Sequence, residues 1–163
     1  MAEKTEWERA RDIVTRQLSM MDRSRKQLLD AMRQRDVDDE TAQSVLDWFA
    51  GHGLVDDVHF AEVLVRTRLT EKHASKRAIS EELRRKGIEA EIVEDALSAI
   101  SDEDEYENAL HIALKKLRIA SGNPATLRQR TYATLARRGF NPDHCSRALA
   151  AAESCLDSAT PDE

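Results

Sequence analysis

The residues of this chain that could perform acid/base chemistry are few, and their spacing does not favour catalysis. The closest approach to a catalytic cluster is Asp56, Asp57 and His59. Aspartates just before a helical pattern commonly cap the helix, so a helix start accounts for this cluster without catalysis. The five histidines include no close-set pair with metal-ligand spacing, and neither a glycine-rich phosphate loop nor a nucleophile elbow occurs. We therefore predict a protein that is not an enzyme, with no catalytic residue, metal or cofactor.

The two cysteines, Cys145 and Cys155, carry no recognisable chemistry either. Their spacing is neither that of a metal site nor that of a persuasive disulfide framework. We expect both to be free structural thiols.

The basic residues are more informative, because they recur at equivalent places along the chain and are segregated from acids. Seven basic residues and no acidic one lie between Lys115 and Arg138, whereas nine acidic residues and no basic one lie between Glu89 and Glu107. This segregation can make one surface cationic although the formal net charge is −6. Rows of cations suit a phosphate backbone or an acidic protein groove, and nothing in them reads base sequence. The alternative is a solvated face with helix-end cations.

The candidate contact residues lie in the middle and last parts of the chain. They are Arg66, Arg68, Lys76, Arg77, Arg84, Arg85, Lys86, Lys115, Lys116, Arg118, Arg128, Arg130, Arg137 and Arg138.

An internal repeat determines where these cations recur. The segment Leu83-Arg84-Arg85-Lys86-Gly87-Ile88 returns as Leu135-Ala136-Arg137-Arg138-Gly139-Phe140, and more weakly as Met32-Arg33-Gln34-Arg35-Asp36-Val37. Residues 9–49 align with residues 60–100 without a gap. A period near 50 residues indicates one supersecondary unit stacked on copies of itself. Aspartate tolerates the left-handed conformation, so Asp36 allows the turn that glycine makes in the other copies.

Each repeat has the pattern of three helices. The middle copy has an apolar stripe after Asp56, a possible cap at Ser75, and a third helix beginning near Glu89. In the third copy, Ser101, Asn123 and Asn141 mark three helix starts. Trp48 and Phe49 fall on the apolar stripe of the first copy and are expected in the core.

We predict an all-α fold, a tandem array of three three-helix repeats that is elongated and curved. The predicted boundaries are a polar N-terminal end at 1–8, repeats at 9–52, 53–100 and 101–152, and an acidic C-terminal tail at 153–163. No strand pattern, apolar leader or membrane-spanning stretch appears in the sequence. We expect a cytoplasmic protein that does not contact a membrane.

The central motifs resemble the RecX family, regulators of the RecA recombinase. They are, in the family's order and spacing, Gly53-Leu54-Val55-Asp56-Asp57 with Phe60-Ala61, Arg66-Thr67-Arg68, and Glu82-Leu83-Arg84-Arg85-Lys86-Gly87-Ile88 before a short acidic helix. The resemblance covers roughly residues 9–152. The chain departs from the family pattern at Asp36, where the family has glycine, and at His73-Ala74-Ser75, where it often has a glycine before the second helix. These departures affect local loop geometry.

The resemblance implies a monomer that binds the RecA filament on single-stranded DNA, with weak or indirect contact to the DNA. It implies that the protein limits filament extension or promotes disassembly, and so lowers RecA ATPase, strand exchange and co-protease activity. Such a regulator would act in homologous recombination, DNA repair and the SOS response.

Two other interpretations of the residues stay open. Three short helices per repeat also describe a helix-turn-helix-like protein that binds DNA directly. A helical adaptor without a nucleic-acid role is the third possibility.

Overall fold

The computed structural model describes residues 2–159, and throughout this range the regular structure is helical. The predicted all-α class, with three helices in each of three successive repeats, is confirmed. The helices are α1 (Glu6–Met20), α2 (Arg25–Arg33), α3 (Asp39–Gly51), α4 (Asp57–Glu71), α5 (Lys76–Arg85), α6 (Ala90–Leu97), α7 (Asp102–Ile119), α8 (Pro124–Arg137) and α9 (Pro142–Ala159). The segment predicted as an acidic tail is therefore helical up to Ala159, and residues 160–163 lie outside the described residues.

The chain divides into two compact units, and the boundaries between them fall within α4, α5 and α6. The described residues of the first unit fall within Met1–Val63 and Glu82–Glu94, and those of the second within Leu64–Glu81 and Asp95–Glu163. Both units therefore include parts of the middle repeat.

In the first unit, α1, α2 and α3 pack against one another around an aliphatic core. Val14, Leu28, Met32 and Leu46 are fully buried in it. The expectation that Phe49 belongs to the core is confirmed, but for Trp48 it is wrong, since 42% of that residue is exposed. The Trp48 ring meets Trp7 and Phe49 edge-on, so it covers the core from outside.

In the second unit, α7, α8 and α9 pack together, and α7 and α9 share an interface of small residues. Ala109 and Ala113 on α7 and Ala148 and Ala152 on α9 are fully buried in one cluster. Small side chains at a crossing let two helix axes approach closely. Leu135 and Phe140 supply the larger apolar groups of this core.

The helix starts expected from the sequence are confirmed by their caps. A side-chain oxygen of each capping residue accepts a backbone N–H two or three residues later, which satisfies a donor that the helix itself leaves unpaired. The capping residues are Asp56, Ser75, Ser101, Asn123 and Asn141.

Candidate interaction surface

In the first and in the middle repeat, the N-terminus of the second helix is hydrogen-bonded to the repeat that follows. Each of these two sets of hydrogen bonds is called a joint. In the first unit, the Ser24 hydroxyl donates to the Lys86 carbonyl, and the Arg25 N–H donates to Asp57 Oδ1 at 2.9 Å. In the second unit, the Ser75 hydroxyl donates to the Arg138 carbonyl at 2.6 Å, and the Lys76 N–H donates to Glu105 Oε1 at 3.3 Å. The first joint therefore links the N-terminus of α2 to the end of α5 and to the start of α4. The second joint links the N-terminus of α5 to the end of α8 and to the first turn of α7.

The glycine of the repeated basic motif is required by this joint. Gly87 and Gly139 have φ values of +79° and +95°, in the left-handed region that glycine adopts without strain. A Cβ at Gly139 would lie 2.8 Å from Ser75 Oγ, and one at Gly87 would overlap the Lys26 side chain. Asp36 occupies the equivalent turn with φ 58° but is exposed, so that turn requires only the backbone conformation. Aspartate tolerates that conformation.

The joints explain why the basic residues of consecutive repeats come together. Through these hydrogen bonds, the backbone at the basic end of one second helix meets the N-terminus of the second helix in the preceding repeat. In the first unit the Lys86 carbonyl meets Ser24, just before Arg25, and the Lys26 side chain lies against Gly87. In the second unit Arg137 and Arg138 line one cleft together with Arg77. The joints thus place the repeated basic motif against the start of the preceding second helix.

The joint of the second unit carries a cationic cleft, here called the histidine cleft, with a volume of about 520 Å³. Its charged and imidazole groups are Glu71, Lys72, His73, His111, Lys115, Lys116 and Arg138. An adjoining cleft of about 440 Å³ shares Lys72, His73 and Arg138 and adds Arg77, Glu81 and Arg137. Four cations face one carboxylate in the histidine cleft, so the field in it favours an anion.

Two histidines that are distant in sequence stack in the histidine cleft. The ring centroids of His73 and His111 are 3.6 Å apart, and the rings are inclined by 19°. Partial removal from water lowers the pKa of His111, and the neighbouring His73, Lys115 and Arg118 lower it further. The described residues contain no group of three or more His, Cys, Asp or Glu arranged to hold a metal ion.

The predicted contact residues differ in how free they are to meet a partner. Ten of them are exposed, namely Arg66, Arg77, Arg84, Arg85, Lys115, Arg118, Arg128, Arg130, Arg137 and Arg138, and four are half-buried, namely Arg68, Lys76, Lys86 and Lys116. Several already have internal partners. Arg77 pairs with Glu81 at 3.2 Å and Arg128 with Glu153 at 3.4 Å, while Lys116 donates to Thr134.

The acid/base candidates serve the fold. Asp56 Oδ1 accepts the His59 backbone N–H at 3.0 Å as a helix cap, and Asp57 accepts the Arg25 N–H of the first joint. Both carboxylates therefore have structural roles, as expected from their place at a helix start.

Comparison with known proteins decides which family contains this architecture. Residues 10–49, 56–97 and 102–149 match the family models for the first, second and third three-helix domains of RecX. A regulatory protein RecX from Thermobifida fusca is 37% identical over 134 residues, covering 82% of this chain and 72% of the relative. Another, from Mycobacterium leprae, is 38% identical over 136 residues, covering 82% and 80%.

The chain belongs to the RecX family. Its fold also matches a solved structure of RecX from Lactobacillus salivarius, with a TM-score of 0.80 and 23% identity, covering 91% of this chain and 97% of that one. The resemblance stated from the sequence motifs is confirmed, and with it the assignment to a family of regulatory proteins. Within the described residues, no helix is long and apolar enough to cross a membrane.

Within this RecX-family fold, sequence reasoning missed three residues of the histidine cleft. Lys72, His73 and His111 were not among the predicted contacts, although they line it together with Lys115, Lys116 and Arg138. One local signal was available, because His111 and Lys115 are four residues apart and so share a face of α7. The contact with His73 depends on the joint between repeats and has no local signal.

Proposed function

We propose that this protein binds the RecA filament formed on single-stranded DNA and lowers RecA activity by limiting filament extension or promoting disassembly. The activities lowered are ATP hydrolysis, strand exchange and co-protease activity. The protein acts as a monomer in the cytoplasm, and its contact with DNA is weak or made through RecA.

Family membership supports the regulatory part of this proposal, since the curated relatives carry the name regulatory protein RecX. The recurrence of cations at equivalent joints supports the mode of binding. A filament presents identical subunits in series, and a repeat protein presents similar contact groups in series. Weak contacts made together combine through effective concentration, so modest charge contacts suffice for a stable complex.

The exposed pair Arg84 and Arg85 is the contact we favour most in the first unit. Both side chains are exposed at the end of α5, and among the described residues neither has an ion-pair partner. In the second unit we favour Lys115, Arg137 and Arg138, which line the two clefts. The remaining predicted cations stay candidate contacts.

The first experiment is a titration of this protein against the single-stranded-DNA-dependent ATPase of its cognate RecA, after filaments have formed and at fixed salt. We expect inhibition at a ratio well below one molecule of this protein per RecA subunit. One molecule that blocks filament extension or bridges subunits affects many RecA subunits. No inhibition at excess, with the protein shown to be helical by circular dichroism, would contradict the proposal.

Measuring the binding of this protein to DNA in the absence of RecA tests the alternative of direct DNA binding. Tight, salt-dependent binding to duplex DNA with a sequence preference would favour the helix-turn-helix-like interpretation. Failure to bind either DNA or RecA would leave a helical adaptor.

A further inference from the structure

The first unit contains a small pocket between the end of α1 and the start of α4, here called the Arg23 pocket. Its apolar lining residues are Leu18, Leu54 and Phe60. Its polar lining residues are Asp22, Arg23, Asp56 and His59. The volume of the pocket is about 180 Å³. Liquid water takes about 30 Å³ per molecule, so the pocket has room for about six waters or one large side chain.

Apolar side chains that the core does not bury surround this pocket. Leu54, in the lining, is 56% exposed, and Leu18 and Phe60 are only half-buried. Met21 and Val58, each one residue from a polar residue of the lining, are exposed as well. Exposed apolar side chains gathered at a concave site are typical of a contact with another protein.

Arg23 supplies the cation of the pocket, and its side chain has no partner. Its Nε is buried without a hydrogen-bond acceptor, and among the described residues its guanidinium forms no ion pair. A buried donor that is left unpaired costs free energy. Position 23 aligns with Ala74 of the middle repeat, so a joint between repeats does not require an arginine at this place. Arg23 is therefore available to pair with an acceptor from outside the protein.

The two carboxylates of the pocket do not take the place of that acceptor. Asp56 Oδ1 accepts the His59 N–H at 3.0 Å, and the N-terminus of α4 stabilises its charge. Asp22 is exposed, so water and salt screen its charge, whereas the half-buried Arg23 is screened less. A guanidinium binds a carboxylate through two parallel hydrogen bonds. The pocket therefore suits a carboxylate attached to an apolar group.

The last residue of a polypeptide carries these groups together. It has an apolar side chain, a free carboxylate and a peptide N–H, which the exposed Asp22 carboxylate can accept. An internal aspartate or glutamate offers the carboxylate without the apolar group. A free amino acid offers both, but it leaves Met21 and Val58 uncovered, whereas the residues before a chain end can cover them. Capture of a terminal carboxylate is an established mode of peptide recognition.

We propose that the Arg23 pocket binds the C-terminal residue of a partner protein whose last side chain is apolar and about the size of leucine. The carboxylate of that residue pairs with Arg23, and its side chain packs on Leu18 and Leu54. This proposal goes beyond regulation of RecA and does not rest on it, because the lining residues all belong to the first unit and the test omits RecA.

The test is an NMR titration of the isotope-labelled full chain with the pentapeptide Gly-Ser-Gly-Ser-Leu. The matched probe is the same peptide with a C-terminal amide, which keeps the side chain and removes the charge. We expect the backbone signals of Arg23, Leu54 and His59 to shift on binding. The amide should bind roughly tenfold more weakly, because it loses a charge-assisted pair with the guanidinium. A pentapeptide that ends in alanine should also bind more weakly, because it buries less apolar surface.

Three variants assign the contacts. Arg23→Gln should abolish the difference between the carboxylate and amide peptides. It should keep the wild-type helical content and unfolding midpoint, because the side chain has no partner within the protein. Arg16→Gln is the matched control, since it removes an exposed arginine of α1 that does not line the pocket, and it should keep the roughly tenfold preference. Leu54→Ala should weaken both peptides by a similar factor, because it removes apolar wall and leaves the cation.

Four outcomes would overturn the proposal. Equal binding of the carboxylate and amide peptides to the wild-type protein would exclude recognition of the carboxylate, whether or not the variants fold. Free leucine that binds as tightly as the peptide would make this a small-molecule site. An amidated peptide with internal leucine and glutamate, Gly-Leu-Glu-Gly-Ser, that binds as tightly would exclude recognition of a chain end. Absence of any shift at about 10 mM peptide, well above the concentration that a millimolar site needs, would exclude the site itself.

Discussion

The hydroxyl of Ser75 donates a 2.6 Å hydrogen bond to the backbone carbonyl of Arg138, and it also accepts the N–H of Ala78 as the cap of α5. One fully buried side chain therefore completes the start of one helix and the end of another. Ser24 has the same two roles, toward Lys86 and Gln27. The basic motif lies at the joint because the carbonyl of its last basic residue, Lys86 or Arg138, accepts the hydrogen bond from the serine.

Ser75→Ala is expected to lower the free energy of unfolding by roughly 2 kcal/mol, because a helix cap is lost and the Arg138 carbonyl loses its buried donor. The measurement is denaturant unfolding followed by circular dichroism. Ser98→Ala is the control, since that exposed hydroxyl, just after α6, donates only to the nearby Asp95 carbonyl. Equal stability of the two variants would show that the joint contributes little.

Gly139→Ala is expected to destabilise the protein by about 1 to 3 kcal/mol, because the backbone is left-handed there and the new Cβ would lie 2.8 Å from Ser75 Oγ. Gly51→Ala is the matched control, because Gly51 ends α3 and its Cβ would meet nothing within 4 Å. We expect Gly51→Ala to be neutral or stabilising by up to about 1 kcal/mol. Thermal unfolding of both variants gives the comparison, and a neutral Gly139→Ala would contradict the close approach.

The sequence was sufficient for features that depend on local chemistry. Helix caps such as Asp56 and Ser101 depend on a few consecutive residues, and the threefold repeat depends on self-similarity, so both could be predicted. The stacked pair of His73 and His111 depends on contacts between repeats, which a single sequence does not encode locally. Trp48 was misplaced because an apolar stripe defines a helix face but not where along that face the core ends.

The stability of the protein is expected to fall as pH decreases below about 6.5, the ordinary pKa of histidine. The folded protein holds the pKa of His111 below that value, so the unfolded chain takes up the proton first. The stability that the neutral His111 ring contributes is complete above the ordinary histidine pKa. It is lost as pH falls toward the pKa that His111 has in the folded protein. Unfolding midpoints at about pH 7.5 and about pH 5.5 measure this loss.

His111→Gln should reduce the loss of stability at acidic pH, because glutamine does not titrate. The carboxyl pKa values of Asp38 and Asp39 are lowered by the Thr41 backbone N–H and by the Arg33 guanidinium respectively, so their contributions are lost only at more acidic pH. The same decrease in His111→Gln as in the wild type would assign the effect to another group.

Cys155 is expected to react with a thiol reagent in the folded protein, and Cys145 only after unfolding. Both are free, but Cys155 is exposed, whereas Cys145 is fully buried and burial raises the pKa of its thiol. The thiolate is the reactive form, so Cys145 is protected by access and by protonation. Mass spectrometry after brief labelling, with Cys155→Ala as control, should find one modified thiol in the wild type and none in the variant.

Reversing the charge of Arg84 and Arg85 together is expected to raise the concentration of this protein needed for half-inhibition of the RecA ATPase by roughly tenfold or more, equivalent to about 1.4 kcal/mol of binding free energy. Both side chains are exposed, so Arg84→Glu with Arg85→Glu should leave the helical content unchanged. Loss of the cations near the end of α5 has a small cost to that helix, which circular dichroism and thermal unfolding will detect.

The control is Arg11→Glu with Arg16→Glu, which makes the same change in net charge on exposed positions of α1. A general effect of net charge would weaken inhibition equally in both double variants. If the α5 arginines contact the filament, inhibition will be weakened only in the Arg84→Glu, Arg85→Glu variant. Full inhibition by a folded Arg84→Glu, Arg85→Glu variant would remove these arginines from the interface and leave the cations of the second unit as the remaining candidates.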